Sequence, residues 1–300
     1  RLISLANLLG KEFQICFALT SYSDVVLNLL HENRYIFSTF HNEPSFINSL
    51  KGNEIVFIDS YKSQPNELAI IKAKGCKLVF INDLVRQDLR SCDLVINHTP
   101  GYERSDFNVS PNAILLLGHE YCLIRDEFYL ESPRRVISEI KTITISLGQS
   151  DSGLLLNKVV DICYNFWQSS RINVLNGPNI IGEDLRSSER VTLLNNLNVQ
   201  DMVALFDNTD LAIVPVSGLY MEALSRGSIV LGGYFAENHM FVYNQLAGKE
   251  IVVELGDFRQ LDMKNLFEIK ATIERQLPKV NSPNLGSKKN EIFEIVKNWR

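Results

Sequence analysis

The chain has 300 residues, 45% of them hydrophobic, and its 35 acidic against 30 basic side chains leave a formal net charge of -5. That is enough chain for two α/β domains with cores of their own, and a pI near 5.6 argues against a nucleic-acid binder, which carries a basic face. No apolar run approaches the ~20 residues that span a bilayer, so no membrane span is expected.

The cysteines (Cys16, Cys76, Cys92, Cys122, Cys163) include no C-x-x-C pair and read as reduced, mostly buried thiols of a cytoplasmic protein. The histidines (His31, His41, His98, His119, His239) show no metal-ligand spacing, and neither a metal nor another cofactor is expected.

In chain order, the sequence opens in a helix-periodic apolar stretch, residues 1–9, with no methionine ahead of it. A doubly wound α/β domain begins with a strand and a loop before its first helix, so the expectation is that a first strand and loop lie upstream of Arg1. Strand patterns then fall at 14–19, 34–40, 54–59, 77–81, 94–97 and 113–117, with helical patterns at 23–32, 44–50 and 64–74 between them. Pro65 sits in the first turn of the last of these helices and Gly75 stops it. Strands alternating with helices at this spacing imply a mostly parallel sheet covered on both faces. Residues 129–142, which contain the charged and proline-interrupted ESPRRVISEIK, mark a boundary between a first Rossmann-like domain, 1–132, and a second, 133–300.

The second alternation has strands at 143–147, 172–175 and 191–194 and helices at 154–167 and 199–207, the latter capped by Asn198. In the stretch 210–245 a short buried strand ends at Ser217-Gly218, a helix follows and stops at Arg226-Gly227, and after another strand Ala236-Glu237-Asn238-His239 opens a further helix. Free backbone N–H groups at the start of the first helix, with its dipole, make a seat for phosphate. Glu222, about one turn inside, would repel phosphate but suits ribose hydroxyls. The plainer reading is a solvated helix glutamate. A strand at 250–255 and helices at 263–276 and 288–299 finish the chain. Two such domains imply a cleft lined by the carboxyl ends of two sheets, where ligands of α/β proteins bind.

Several stretches together resemble one family. They are Asp59-Ser60-Tyr61; Asn82-Asp83 followed by Cys92-Asp93-Leu94-Val95-Ile96-Asn97; residues 117–128, LGHEYCLIRDEF; Ser146-Leu147-Gly148-Gln149-Ser150-Asp151; residues 198–214; and Glu237-Asn238-His239. In this order and spacing they are similar to motifs of the UDP-2,4-diacetamido-2,4,6-trideoxy-β-L-altropyranose hydrolases of pseudaminic acid biosynthesis. That family shares the two-domain GT-B fold with nucleotide-sugar glycosyltransferases.

The resemblance implies hydrolysis of a UDP-linked sugar at its anomeric carbon, releasing UDP and free sugar without a metal. It assigns UDP to the second domain, with Gly148, Ser217 and Gly218 facing the pyrophosphate and Glu222 the ribose. Tyr61 and Asn238 match residues that line the sugar and its attacking water, and Asp59 and His239 are further sugar contacts. The sequence departs from the pattern in places. The family's basic histidine lies in a G-x-G-H loop ahead of an Arg that Arg1 resembles, which places that loop upstream of this sequence. Gln149 stands where Gly is usual, Pro215-Val216-Ser217 replaces a Gly-rich turn, and His239 replaces Gln.

His119 reads as a structural residue, Arg125 and Glu127 as members of structural ion pairs, and Asp151 as a helix cap partner. Two other functions fit the same sites: a GT-B glycosyltransferase that passes the sugar to an acceptor, and a non-catalytic nucleotide-sugar binding protein. A dinucleotide oxidoreductase fits less well, because no G-x-G-x-x-G follows a strand.

Overall fold

The structure is a computed structural model that describes residues 1–85, 87–130, 136–148, 153–176, 188–277 and 284–299. The chain forms two compact units: Arg1–His98, Tyr102–Leu123 and Gly286–Arg300 make unit 1, and Thr99–Gly101 with Ile124–Leu285 make unit 2.

Unit 1 begins with α1 (Leu2–Leu9), β1 (Cys16–Leu19), α2 (Asp24–Glu32), β2 (Ile36–Thr39), α3 (Glu43–Ser49), β3 (Ile55–Ile58), α4 (Pro65–Ala73) and β4 (Lys77–Ile81). It continues through β5 (Asp88–Leu89), β6 (Leu94–Asn97), β7 (Asn108–Val109) and β8 (Ile114–Leu117). The helices start where capping chemistry starts them. The Ser23 side chain accepts from the Val26 N–H, Asn42 and Ser45 cap each other, and Pro65 fills a first helical position whose N–H would have no partner.

Four strands pair in parallel in the order β3-β4-β6-β8, β1 and β2 form a separate parallel pair, and β5 pairs with β7. The two-residue strands β5 and β7 carry no readable period and escaped the sequence reading. β4 and β6 are apolar on both faces because both faces are covered. Leu78, Phe80 and Val95 pack with Ile47 of α3 and with Leu68 and Ile71 of α4. Val79, Ile81, Leu94 and Ile96 pack with Leu5 and Leu9 of α1 and, from the end of the chain, Ile292 and Val296.

Unit 2 comprises β9 (Thr142–Ile145), α5 (Leu154–Phe166), β10 (Arg171–Asn176), β11 (Val191–Asn195), α6 (Val199–Asp207) and β12 (Leu211–Pro215). Then come α7 (Gly218–Ser225), β13 (Ile229–Tyr234), α8 (Glu237–Leu246), β14 (Val253–Asp257) and α9 (Met263–Gln276). The sheet is parallel in the order β11-β10-β9-β12-β13-β14. Leu156, Val159 and Val160 of α5 and Leu266 and Ile273 of α9 bury its Ile143, Ile145, Leu211 and Ile213 side chains. β14 starts later than the expected strand at 250–255 because Glu250 takes a left-handed conformation (φ 56°) that an extended strand does not allow. No helix among the described residues is long and apolar enough to cross a membrane.

The last helix, α10 (Lys289–Lys297), belongs to unit 1. This differs from the sequence-based division, which placed all of 133–300 in one domain. The apolar stripe of α10, Ile292 and Val296, is buried against the α1 side of the unit 1 sheet, and Gly286 and Lys288 donate backbone hydrogen bonds to the carbonyls of His119 and Glu120. Burying each such side chain contributes about 1.5–3 kcal/mol.

Candidate functional site

In unit 2 the chain moves outward from β9 through β10 to β11, returns to β12 beside β9, and then moves the other way through β13 to β14. The reversal falls between β9 and β12, which pair directly through Ile143↔Leu211 and Ile145↔Ile213. The crevice outside the carboxyl ends of strands at such a point is where open α/β sheets bind ligands.

β9 leaves the sheet through Ser146 and Leu147 into Gly148, and β12 through Val216 and Ser217 into Gly218, the first residue of α7. Gly148 is left-handed (φ 80°), and among the described residues a Cβ placed on Gly148 or Gly218 would meet nothing within 4 Å. The Ser217 side chain makes no capping hydrogen bond to α7, and the Tyr220 N–H turns back to the Ser217 carbonyl at 3.3 Å. The Ser217 N–H itself donates to the Pro215 carbonyl at 2.8 Å. Behind this turn a Cβ on Gly232 would stand 2.8 Å from Val216 Cγ1, so the glycine lets β12 end where it does. Gln149 and Asp151 lie outside the described residues.

Glu222 is not a solvated helix residue: it is 7% exposed. Its carboxylate is held by a fork from Arg125, with Nε to Oε1 at 2.8 Å and Nη2 to Oε2 at 2.6 Å. Arg125 thus makes the structural ion pair expected of it, with a partner 97 residues away that local pattern does not indicate. The Arg125 guanidinium lies 5.0 Å from the centroid of the Phe128 ring. One strand over, Asn238 is the second residue of α8, just past the carboxyl end of β13, and half-buried. His239 is buried, its ring packed edge-on against Phe235 at 5.2 Å, and burial lowers its pKa.

In unit 1 the carboxyl edge of the sheet carries charge. The alternation that points Phe57, Val79, Ile81, Leu94 and Ile96 toward α1 continues to Asp59, Asp83 and His98, just beyond β3, β4 and β6. Arg1, at the head of α1, donates from Nε to Asp59 Oδ2 at 2.9 Å and pairs through Nη1 with Asp83 at 2.5 Å. The Tyr61 hydroxyl donates to Asp83 at 2.6 Å, and its residue is half exposed. Asp59 and Tyr61 are thus joined through Arg1 and Asp83, which the sequence marks as motif residues without a site role.

Burial pushes the Asp83 carboxyl up, but the Arg1 charge, His98 and the Tyr61 hydrogen bond outweigh it and hold the carboxyl below its usual range. Burial drives His98 the other way, down to about 3, against the pull of Asp83. Neither His98 ring nitrogen has a hydrogen-bond partner among the described residues. No sequence signal marked it: it follows an apolar strand run like any core residue.

A groove of about 420 Å³ in unit 2 lies at the other end of the sheet, lined by Ser228, Ile229, Val252, Val253 and Thr272. It borders the amino ends of β13 and β14, away from the glycine turns. Among the described residues no group of three His, Cys, Asp or Glu side chains is arranged to hold a metal ion.

No family model matches the chain, and no curated protein matches its sequence. Solved structures do. Acinetobacter baumannii MurG is similar with a TM-score of 0.63 at 12% identity, over 99% of this chain and 94% of that one. Arabidopsis thaliana UGT89C1 gives 0.63 at 12% identity over 99% and 95%. S. aureus MnaA, solved with UDP, gives 0.61 at 11% over 99% and 92%. At these identities the likeness is one of fold, and the fold of this chain is GT-B, as the sequence motifs implied.

Proposed function

We propose that this chain is a UDP-sugar enzyme, and that its reaction is hydrolysis of a UDP-linked 2,4-diacetamido-2,4,6-trideoxy sugar at the anomeric carbon. The observation that carries the nucleotide half is the reversal point of unit 2, where no described residue lies within 4 Å of a Cβ on Gly148 or Gly218 and Ser217 does not cap α7. MnaA solved with UDP and UGT89C1 solved with UDP-L-rhamnose support the ligand class. The ordered motifs support the reaction.

In this reading Gly148, Ser217 and Gly218 receive the pyrophosphate, with the α7 dipole and N–H groups steadying its charge. Glu222 accepts the ribose hydroxyls. Tyr61 and Asn238 position the sugar and its water, with Asp59 and His239 as sugar contacts. The water oxygen bonds to the anomeric carbon as the bond to the β-phosphate oxygen breaks, its electron pair leaves with UDP, and the proton lost by the attacking water passes to bulk solvent. UDP is a good leaving group, so the protein's task is mostly placement. A nucleotide-sugar substrate fits a cytoplasmic setting.

Calorimetric titration with UDP, followed by assay of UDP release from the UDP-sugar in water, tests this. The expected results are one-site saturable binding, weakened at least about tenfold by Glu222→Ala, and UDP release without an acceptor. A strict need for an acceptor would make the chain a glycosyltransferase, and no binding at millimolar UDP would remove the nucleotide half of the reading.

A further inference from the structure

We propose that Arg125 is a positioning residue for ribose recognition. By fixing and neutralising Glu222 it makes the nucleotide site select ribonucleotides over 2′-deoxyribonucleotides. The inference rests on the reading of the α7 start as a diphosphate seat, and adds a residue and a selectivity to it.

Glu222 stands four residues beyond Gly218, which at ~1.5 Å per residue is about 6 Å along the helix. That is one turn from a diphosphate at the helix start, the distance at which the 2′- and 3′-hydroxyls of an attached ribose come within reach. A carboxylate has about four lone-pair positions. Arg125 uses one on each oxygen, which leaves one on each for the two hydroxyls of a vicinal diol. The fork also fixes the plane of the carboxylate, so the remaining acceptors point in set directions. Arg125 is itself held: its guanidinium stacks on Phe128 at 5.0 Å, and Phe128, 1% exposed, packs on Phe206 at 6.2 Å.

The pair also resolves the difficulty that a buried carboxylate one turn from a diphosphate would repel it. Paired with Arg125, the carboxylate carries no net charge of its own toward the diphosphate. Lysine could supply the charge but not the planar fork, so the substitution separates neutralisation from aiming.

The experiment is calorimetric titration of the full chain with UDP and with 2′-deoxy-UDP, on the unaltered protein, Arg125→Lys, Glu222→Gln and the double variant. The unaltered protein should prefer UDP by about tenfold, the size of one hydrogen bond to a charged acceptor. Arg125→Lys should bring that ratio close to one, and the double variant should discriminate no less than Glu222→Gln alone, because both act through one carboxylate. A merely structural ion pair would change stability and overall affinity while leaving the ratio in place.

If the unaltered protein binds UDP with no preference over 2′-deoxy-UDP, or if Arg125→Lys keeps the preference, the inference is overturned and the UDP site stands. If UDP does not bind at all, both fall. The ratio on the unaltered protein needs no variant to fold.

Discussion

At the carboxyl edge of unit 1 the strands end in charged side chains that close on one another, Arg1 across Asp59 and Asp83 with Tyr61 bonded to Asp83. At the matching edge of unit 2 they end in Gly148 and Ser217-Gly218, with no described residue within 4 Å of where a Cβ on either glycine would stand. The same parallel architecture has therefore been finished in two ways. The unit 1 edge pairs its charged groups with one another, leaves the buried His98 ring without a hydrogen-bond partner among the described residues, and needs side chains held in single rotamers, which costs conformational entropy. The unit 2 edge offers backbone donors that the strands and α7 already hold in place. Such an edge suits a ligand part common to many substrates, a diphosphate, whereas an edge of long side chains can be shaped to one substituent.

The largest expected effect tests whether the unit 1 edge is self-supporting. Arg1→Met leaves two mostly buried carboxylates facing each other (side-chain exposure 17% and 15%) and should lower stability against urea by about 3 kcal/mol. A loss below about 1 kcal/mol would show the network to be no more than a surface ion pair.

The next effect concerns pH. Because burial holds His98 near 3, below its ordinary 6.5, the unfolded chain takes up the proton first on acidification. The His98 contribution is thus fully present above about 6.5 and is lost as pH falls from there toward 3, at up to about 1.4 kcal/mol per pH unit. Asp83, also held below its usual value, adds a loss as pH drops through the carboxylate range. His98→Leu should flatten the limb between pH 6 and 4 in denaturation curves. An unchanged limb would mean that this histidine is not kept neutral at a cost.

The smallest effect on the fold, and the cleanest on the ligand, is at Gly218. Gly218→Ala adds a methyl that meets nothing among the described residues and should raise stability by about 0.5 kcal/mol through helix propensity. The same methyl should weaken UDP about tenfold, ~1.4 kcal/mol, by standing where the proposed function puts the phosphate. Equal UDP affinity would separate the open space from nucleotide binding.

Much of the fold could be read locally, because caps and periods are local. β4 at Lys77–Ile81, α6 behind the Asn198 cap and α9 at Met263–Gln276 fall where the pattern put them. What the sequence left out is long-range. The reversal between β9 and β12 depends on strand order, Arg125 meets Glu222 across 97 residues, and Arg1 meets Asp83 across 82. His98 shows the same limit in another form, since its burial and its neighbour Asp83 come from strand pairing that no run of apolar letters contains. The homing of α10 to unit 1 depends on which surface its stripe meets, and a helix pattern does not name its partner.

That homing has a consequence for synthesis. Unit 2 is built from Thr99–Gly101 and Ile124–Leu285, and nearly all of its chain has been made before α10 exists. Unit 1 has its strands early but lacks one wall of its core until Ile292 and Val296 have emerged. On the ribosome, where domains generally fold as the chain grows, the unit begun first is the one finished last. During that interval Val79, Ile81, Leu94 and Ile96 lack the α10 part of their cover, an apolar surface for chaperones to hold.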